Sequence, residues 1–491
     1  MGRASLLLAV SLLATSLLAA AQAYALLVIC GTDPRTEAFL AAYALYLPVA
    51  VMGASLRASV SSLVARAPVS ERARHASEIV SRCILFGGLV AGTMLLLAPL
   101  LAPAISGDLP AHVRDTTLVA LALLLPAALL HVVAAALSGA LGAHRQFGFS
   151  ALAYVVSGTV SLVVSIAMLS TIGPVGAGVG VLAGTLLLSG VHLRRSRALG
   201  IRVRLRPGAL RERAQWQVSA EVLSGAALGF ALQANLAISL AALGAQAGAI
   251  TAYSYAFFMS TMILSLSSLP LALVTLPGLV DAVQREGRAA VAGHLVHYAP
   301  YAYAVVLPLA AGFLGFGRPI VAWAFEPFVG ATVAQLLFEV GRALVLMTIP
   351  ATLFYLASAA SLPAATPRGR LLVAGVTIAL HGGAVAIVSG DPRAVAWAHA
   401  AAMALSTIVL LAQVLRREAL RAAVLALRSV APVAVASSPV LLIGLAVGSA
   451  APAATIAAAG LAVMIYLLTL HRLAPAVVEP FFALLRRSAT T

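Results

Sequence analysis

The sequence has no lysine, two cysteines and few charges of any kind: the four charged residue types make up 9% of its 491 residues. Each shortage excludes something. A soluble protein of this length exposes far more charge than that. Two cysteines cannot build a disulfide framework, and the topology argued below puts Cys30 and Cys83 at opposite membrane faces, beyond bridging distance. There is no Gly-rich phosphate loop, no HExxH and no CxxC pair. The sequence thus offers no motif for an ATPase, a zinc enzyme or a redox centre, and no cofactor or metal is expected. The absence of lysine beside 31 arginines reads as the codon bias of a GC-rich bacterial genome, not as a function.

What is abundant is apolar: 62% of residues are hydrophobic. Runs near twenty residues recur from end to end, each long enough to cross ~30 Å of hydrocarbon as a helix. Backbone inside a bilayer must satisfy its own hydrogen bonds, which favours helices here; a β-barrel would show short alternating segments instead. The chain is expected to be an all-α, polytopic membrane protein of about fourteen transmembrane helices. They run near 5–29, 38–64, 79–104, 116–141, 147–171, 174–193, 218–243, 249–279, 295–316, 332–358, 370–389, 393–415, 430–448 and 453–471. The start, "MGRASLLLAVSLLATSLLAAAQAYA", imitates a signal peptide. Its apolar stretch continues through Ile29, so it reads as a retained first helix.

The net charge of +16 raises nucleic acid as a partner, but the placement of the arginines argues against it. With both termini in the cytoplasm, four arginines (Arg35, Arg114, Arg318, Arg393) fall outside and two (Arg57, Arg342) inside spans; the rest are cytoplasmic. That is the positive-inside bias of a multi-pass protein of the bacterial cytoplasmic membrane. The run "RRSRALGIRVRLRPGALRER", Arg194 to Arg213, is then a basic cytoplasmic linker beside anionic lipid.

The linker divides an internal repeat. "CGTDPRTEAFLAAYALY" follows the first span and "LGAQAGAITAYSYAFF" the seventh. Each reads as glycine, a short loop, then a Tyr-Ala segment. "GPVGAGVG" before span six and "GDPRAVAW" before span twelve recur at nearly the same offset. The expected organisation is a six-helix lobe (1–193), the linker (194–217), a second six-helix lobe (218–415), and two further helices with a tail (416–491). Paired lobes are a recurring transporter plan.

Four stretches, in order, carry a family resemblance: "GTDPRTEAFLAAYALYLP" from Gly31, "SGALGAHRQFGFSALA" from Ser138, "LQANLAISLAALGAQAGAITAYSYAF" with the later "VTLPGLVDA", and "YAVVLPLAAGFLGFGRPIVAWAF" from Tyr303. With these the chain resembles the MurJ/MviN lipid II flippases of the multidrug/oligosaccharidyl-lipid/polysaccharide exporter superfamily. The resemblance covers most of residues 5–360; over 361–491 the helix count agrees. It implies a non-enzymatic flippase for a polyprenyl-pyrophosphate-linked saccharide, a peptidoglycan or exopolysaccharide precursor, moved by alternating access. The head group would sit in a polar cavity between the lobes and the tail in a groove of the last two helices. Implied partners are that lipid-linked substrate, membrane lipids, and cell-wall glycosyltransferases or polymerases. The chain departs from the family pattern where the cavity arginines are expected. Met52 and Gly53 stand in place of a paired arginine, Arg57 in place of a glutamate, and Phe257-Phe258 in place of a charged pair. Acidic and amide residues that some members use for sodium are not evident.

Individual residues follow from cost. An arginine placed mid-helix costs at least ~2.5–3.5 kcal/mol, so Arg57 is expected at a cavity, where its guanidinium could hold a phosphate; the alternative is an arginine that snorkels to the membrane face. Glu37, Gln22, Gln233 and Asn235 complete the candidate substrate-binding set. Glu339 and Arg342, three apart on one helix, form a candidate gating or ion pair. Glu221 reads as a solvated carboxylate at a helix start, or a gate. His131, His297, His381 and His399 lie within spans, scattered along the sequence, and read as packing residues. Two other functions remain open: a non-transporting scaffold or degenerate paralogue in cell-wall synthesis, favoured by the missing arginines, and a drug/cation antiporter using Glu339 or Glu221. A membrane glycosyltransferase is disfavoured by the short external loops.

Overall fold

The computed structural model describes residues 3–65, 67–106, 113–144, 146–203, 213–243, 248–447 and 452–479. Among them the chain forms sixteen α-helices: α1 (Arg3–Cys30), α2 (Pro34–Ala65), α3 (Arg72–Leu96), α4 (Ala98–Ser106), α5 (Arg114–Ala143), α6 (Phe147–Ile172), α7 (Val175–Ala198), α8 (Arg213–Ala241), α9 (Ala249–Leu266), α10 (Ser268–Glu286), α11 (Arg288–Val329), α12 (Ala331–Ala364), α13 (Pro367–Ile387), α14 (Pro392–Leu415), α15 (Ala419–Val447) and α16 (Pro452–Leu473). Thirteen spans among the described residues are long and apolar enough to cross a membrane. The remaining expected span, 38–64, lies in the 32-residue α2. Each expected span corresponds to one helix or to two consecutive ones.

The two divided spans have one physical cause. Proline lacks an N–H, and its ring collides with the carbonyl four residues back. Pro270 sets that carbonyl at Leu266, where α9 ends; Pro99 sets it at Leu95, one residue before the end of α3. Pro126, Pro308, Pro350 and Pro439 are tolerated inside continuous helices. The ninth span is longer than expected: α11 runs 42 residues through four prolines.

The chain divides into two compact units. Unit one is Met1–Tyr255 with Ala365–Ala402; unit two is Ala256–Ala364 with Met403–Thr491. Unit one holds α8, which packs on α2, and α13, which packs on α8. Residues 204–212 of the basic linker and 244–247 of the second repeat segment lie outside the described residues.

In unit one the helices meet at small residues, as expected where no hydrophobic effect drives helices together in lipid and close packing must do so. Gly176, Gly180 and Gly184 form a stripe on α7 against α6. A Cβ at Gly180 would fall on Ser161 O at 2.5 Å and on the Ser165 backbone at 2.7 Å. Gly139 of α5 crosses α2 so closely that a Cβ there would lie 2.6 Å from the Arg57 carbonyl. In unit two α11 and α15 cross at Gly315 and Gly444, where an added Cβ would meet partner backbone at 2.9 and 2.7 Å. Tyr303 also donates to Ile349 O at 2.7 Å, tying α11 to α12. Gly180→Leu is expected to cost at least about 1–3 kcal/mol by overpacking. A lowered thermal unfolding transition in detergent checks it, with Gly190→Leu, a position with open space around it, as the control.

Candidate functional site

The start of α2 explains the charge cluster Asp33, Arg35 and Glu37. Pro34 opens the helix, where its missing N–H costs nothing. The Asp33 carboxylate accepts from the Arg35 amide at 2.6 Å, while Arg35 itself is exposed. Glu37 turns inward: it is buried, and its carboxylate faces the amides of Gly248 and Thr251 at the start of α9. A carboxylate at a helix N-terminus answers the unpaired amides and the positive end of the dipole. Glu37 is thus a tie between α2 and α9. It stands twenty residues from Arg57, about 30 Å along a helix rising 1.5 Å per residue, so the two do not share one contact point.

Arg57 is the centre of a polar cluster within unit one. Its guanidinium lies over the Tyr154 ring of α6, 4.7 Å from the centroid. His131 of α5 and His192 of α7 both meet that ring edge-on, at 6.4 and 5.7 Å. Four polar atoms here are buried with no protein partner: Arg57 Nε, Tyr154 Oη, His131 Nδ1 and His192 Nε2. His192 Nδ1 hydrogen-bonds the Leu188 carbonyl at 2.9 Å, so that nitrogen is the donor and Nε2 is the nitrogen left over. Buried donors normally find acceptors. The arrangement suits an anionic oxygen, which could accept from the Arg57 N–H and Tyr154 O–H together. A Cβ at Gly53 would meet the His131 ring at 3.0 Å, so a larger residue there requires that ring to shift.

The other residues singled out from sequence lie elsewhere. Gln22 binds α6 and α7: it donates to Ser165 Oγ at 2.8 Å and accepts from Ser161 at 3.1 Å. Gln233 and Asn235 are buried on α8. Glu339 accepts from Gln335 one turn earlier, and Arg342 is exposed. Glu221 is not simply solvated. It pairs at 3.2 Å with Arg370, whose side chain is fully buried between α8 and α13. Arg370 also donates to Ser224 Oγ and to Ala365 O.

Two features escape a reading by sequence. Arg370 passes for one more topology-setting arginine at a span start. The histidines, taken as scattered, are not: His131 joins His192 around Tyr154, and His381 meets His399 with ring centroids 4.2 Å apart. His297 is exposed and meets Tyr298 edge-on and Tyr301 at a tilt. Among the described residues no group of three or more acidic, His or Cys side chains could hold a metal.

A multi-pass, all-helical bundle carrying a half-buried guanidinium, its Nε buried beside the Tyr154 hydroxyl, has the build of a membrane transporter. The chain belongs to the lipid II flippase MurJ family, whose model matches residues 28–471. Solved structures agree on the fold. A lipid II flippase MurJ in an inward closed conformation is similar with a TM-score of 0.67 at 12% identity, over 96% of this chain and 100% of that one. A transporter of the MOP superfamily from Pyrococcus furiosus is similar at 0.63 and 16% identity, over 86% and 96%. An inward-facing multidrug resistance MATE transporter is similar at 0.61 and 16%, over 84% and 95%. By sequence the chain matches no curated protein.

Proposed function

We propose that this protein flips a polyprenyl-pyrophosphate-linked saccharide, a peptidoglycan or exopolysaccharide precursor, from the inner to the outer leaflet of the cytoplasmic membrane. The physical problem is the head group, which is charged and hydrated and cannot enter hydrocarbon unaided. The observation that carries the reading is the Arg57 cluster, with its buried N–H and O–H donors lacking acceptors inside a membrane helix bundle. Arg57 would take a phosphate oxygen, and Tyr154 would add a second hydrogen bond. Flipping needs no bond made or broken, only exposure of this cluster to one side and then the other. Relatives solved in inward-facing and outward-facing conformations support alternating access. The tail would stay in the bilayer against α15 and α16, which expose Leu442, Leu445, Leu461 and Leu468. Both termini would be cytoplasmic, and cell-wall glycosyltransferases or polymerases would supply and consume the substrate.

Depletion of the protein in its host is expected to accumulate a lipid-linked saccharide on the inner leaflet, read by accessibility to a membrane-impermeant probe in spheroplasts. Unchanged lipids with mislocalised synthases would favour instead the scaffold reading, to which the absent arginines at Met52 and Gly53 lend weight.

A further inference from the structure

The second histidine pair lies in a different part of unit one and plays no role in the flipping scheme above. Four side chains from four helices form a continuous chain: His381 (α13), Ser239 (α8), Tyr253 (α9) and His399 (α14). Ser239 Oγ lies 3.0 Å from His381 Nε2; Tyr253 Oη lies 2.9 Å from Ser239 Oγ and 2.9 Å from His399 Nδ1. All four are buried, at no more than 1% exposure. Each imidazole faces the other, and Tyr253 is the titratable group facing them from α9. From α8 come the uncharged Ser239 and Asn235. At the far end, His381 Nδ1 has no protein partner, and it lies beside Asn235. Asn235 Oδ1 and Thr377 Oγ1, one turn before Ser239 and His381 on their helices, are buried and likewise without one.

We propose that these four residues are a proton relay, and that the proton is the ion that drives the transport cycle; the second clause rests on the flippase reading above. Geometry permits two orientations of the same hydrogen-bond chain. In the first, His399 Nδ1–H donates to Tyr253, Tyr253 to Ser239, and Ser239 to His381 Nε2, with a proton on His381 Nδ1. A proton arriving at His399 Nε2 lets the Nδ1 proton pass to the tyrosine oxygen. The tyrosine proton passes to serine, the serine proton to His381 Nε2, and the Nδ1 proton leaves. One proton has entered and one has left. Every group is neutral again, and the chain now runs in the opposite sense. Hydroxyl rotation and imidazole tautomer exchange reset it. Histidine is suited to both roles, since each ring nitrogen donates or accepts according to tautomer. The unpartnered Nδ1, Asn235 and Thr377 would hand the proton to water. The relay also stands close to one end of its helices. Ser239 is four residues before Leu243, which bridges to Gly390, and α14 starts two residues after that glycine. A proton from that membrane face would enter at His399 and leave at His381 Nδ1, toward Asn235 and Thr377.

The test uses full-length protein in liposomes loaded with a pH-sensitive dye, with an imposed pH gradient, and measures proton movement and lipid flipping separately. The expected result is proton flux through wild type that falls at least tenfold in Tyr253→Phe, which removes one oxygen and keeps the ring, and in His399→Gln. Flipping by these variants should lose its response to the gradient. Wild-type flux in Tyr253→Phe and His399→Gln, or flipping that ignores the gradient in wild type, overturns the relay and leaves the flippase reading standing. Proton flux that depends on Tyr253 without any lipid movement supports the relay and sinks the flippase reading.

Discussion

Arg57→Ala is expected to abolish export of the lipid-linked saccharide, by at least a hundredfold, at normal protein levels in the membrane. The residue is already placed at a cost of at least ~2.5–3.5 kcal/mol for a charge inside a membrane helix. That cost persists for some return, and folding is a weak candidate. No ion pair of Arg57 with a carboxylate is found among the described residues; its neighbour is the face of Tyr154, and its Nε has no acceptor. A charge-assisted hydrogen bond to phosphate contributes roughly 1.5–3 kcal/mol, and a bidentate contact about twice that, which together span a hundredfold and more. Arg57→Lys keeps the charge but loses the fork of donors, and should recover only part of the activity. Accumulated inner-leaflet precursor in cells carrying each variant, beside membrane abundance of the protein, provides the measurement. Normal export by Arg57→Ala would remove the residue from the site.

The second large effect is on stability. Glu221→Ala is expected to destabilise the protein by about 3–5 kcal/mol, because it removes the carboxylate paired with a fully buried guanidinium. Arg370→Met should cost less, about 2–3 kcal/mol, since Glu221 is about one-third exposed and can hydrate once its partner is gone. The double variant should then be more stable than Glu221→Ala alone. That ordering would not appear if Glu221 were a solvated carboxylate without structural consequence. Unfolding in detergent, followed by size exclusion and circular dichroism, reads all three.

The contrast between those two arginines marks what a sequence of this kind discloses. Helix period and length placed the spans, because an apolar run of twenty residues has one solution in a bilayer. Arg57 stood out because burying charge in lipid is expensive wherever its partners are. Arg370 did not stand out. It sits at a span start, where arginine is ordinary, and its partner Glu221 lies 149 residues away in sequence. The same distance hid the relay: His381 and Ser239 are 142 positions apart, and His399 and Tyr253 146. Single histidines carry no periodic pattern that could join them. Asp33, Arg35 and Glu37 are close neighbours in sequence, yet the geometry separates them into a cap, an exposed charge and a buried tie to α9.

The central claim is that this chain moves a pyrophosphate-linked lipid and does so through Arg57. The most direct measurement is flipping of a fluorescent polyprenyl-pyrophosphate saccharide in proteoliposomes, read by a membrane-impermeant quencher. The account predicts that wild-type protein moves the lipid to the opposite leaflet faster than protein-free liposomes, and that Arg57→Ala, folded and reconstituted to the same level, does not. Equal rates for wild type and empty liposomes, or for wild type and Arg57→Ala, would contradict it.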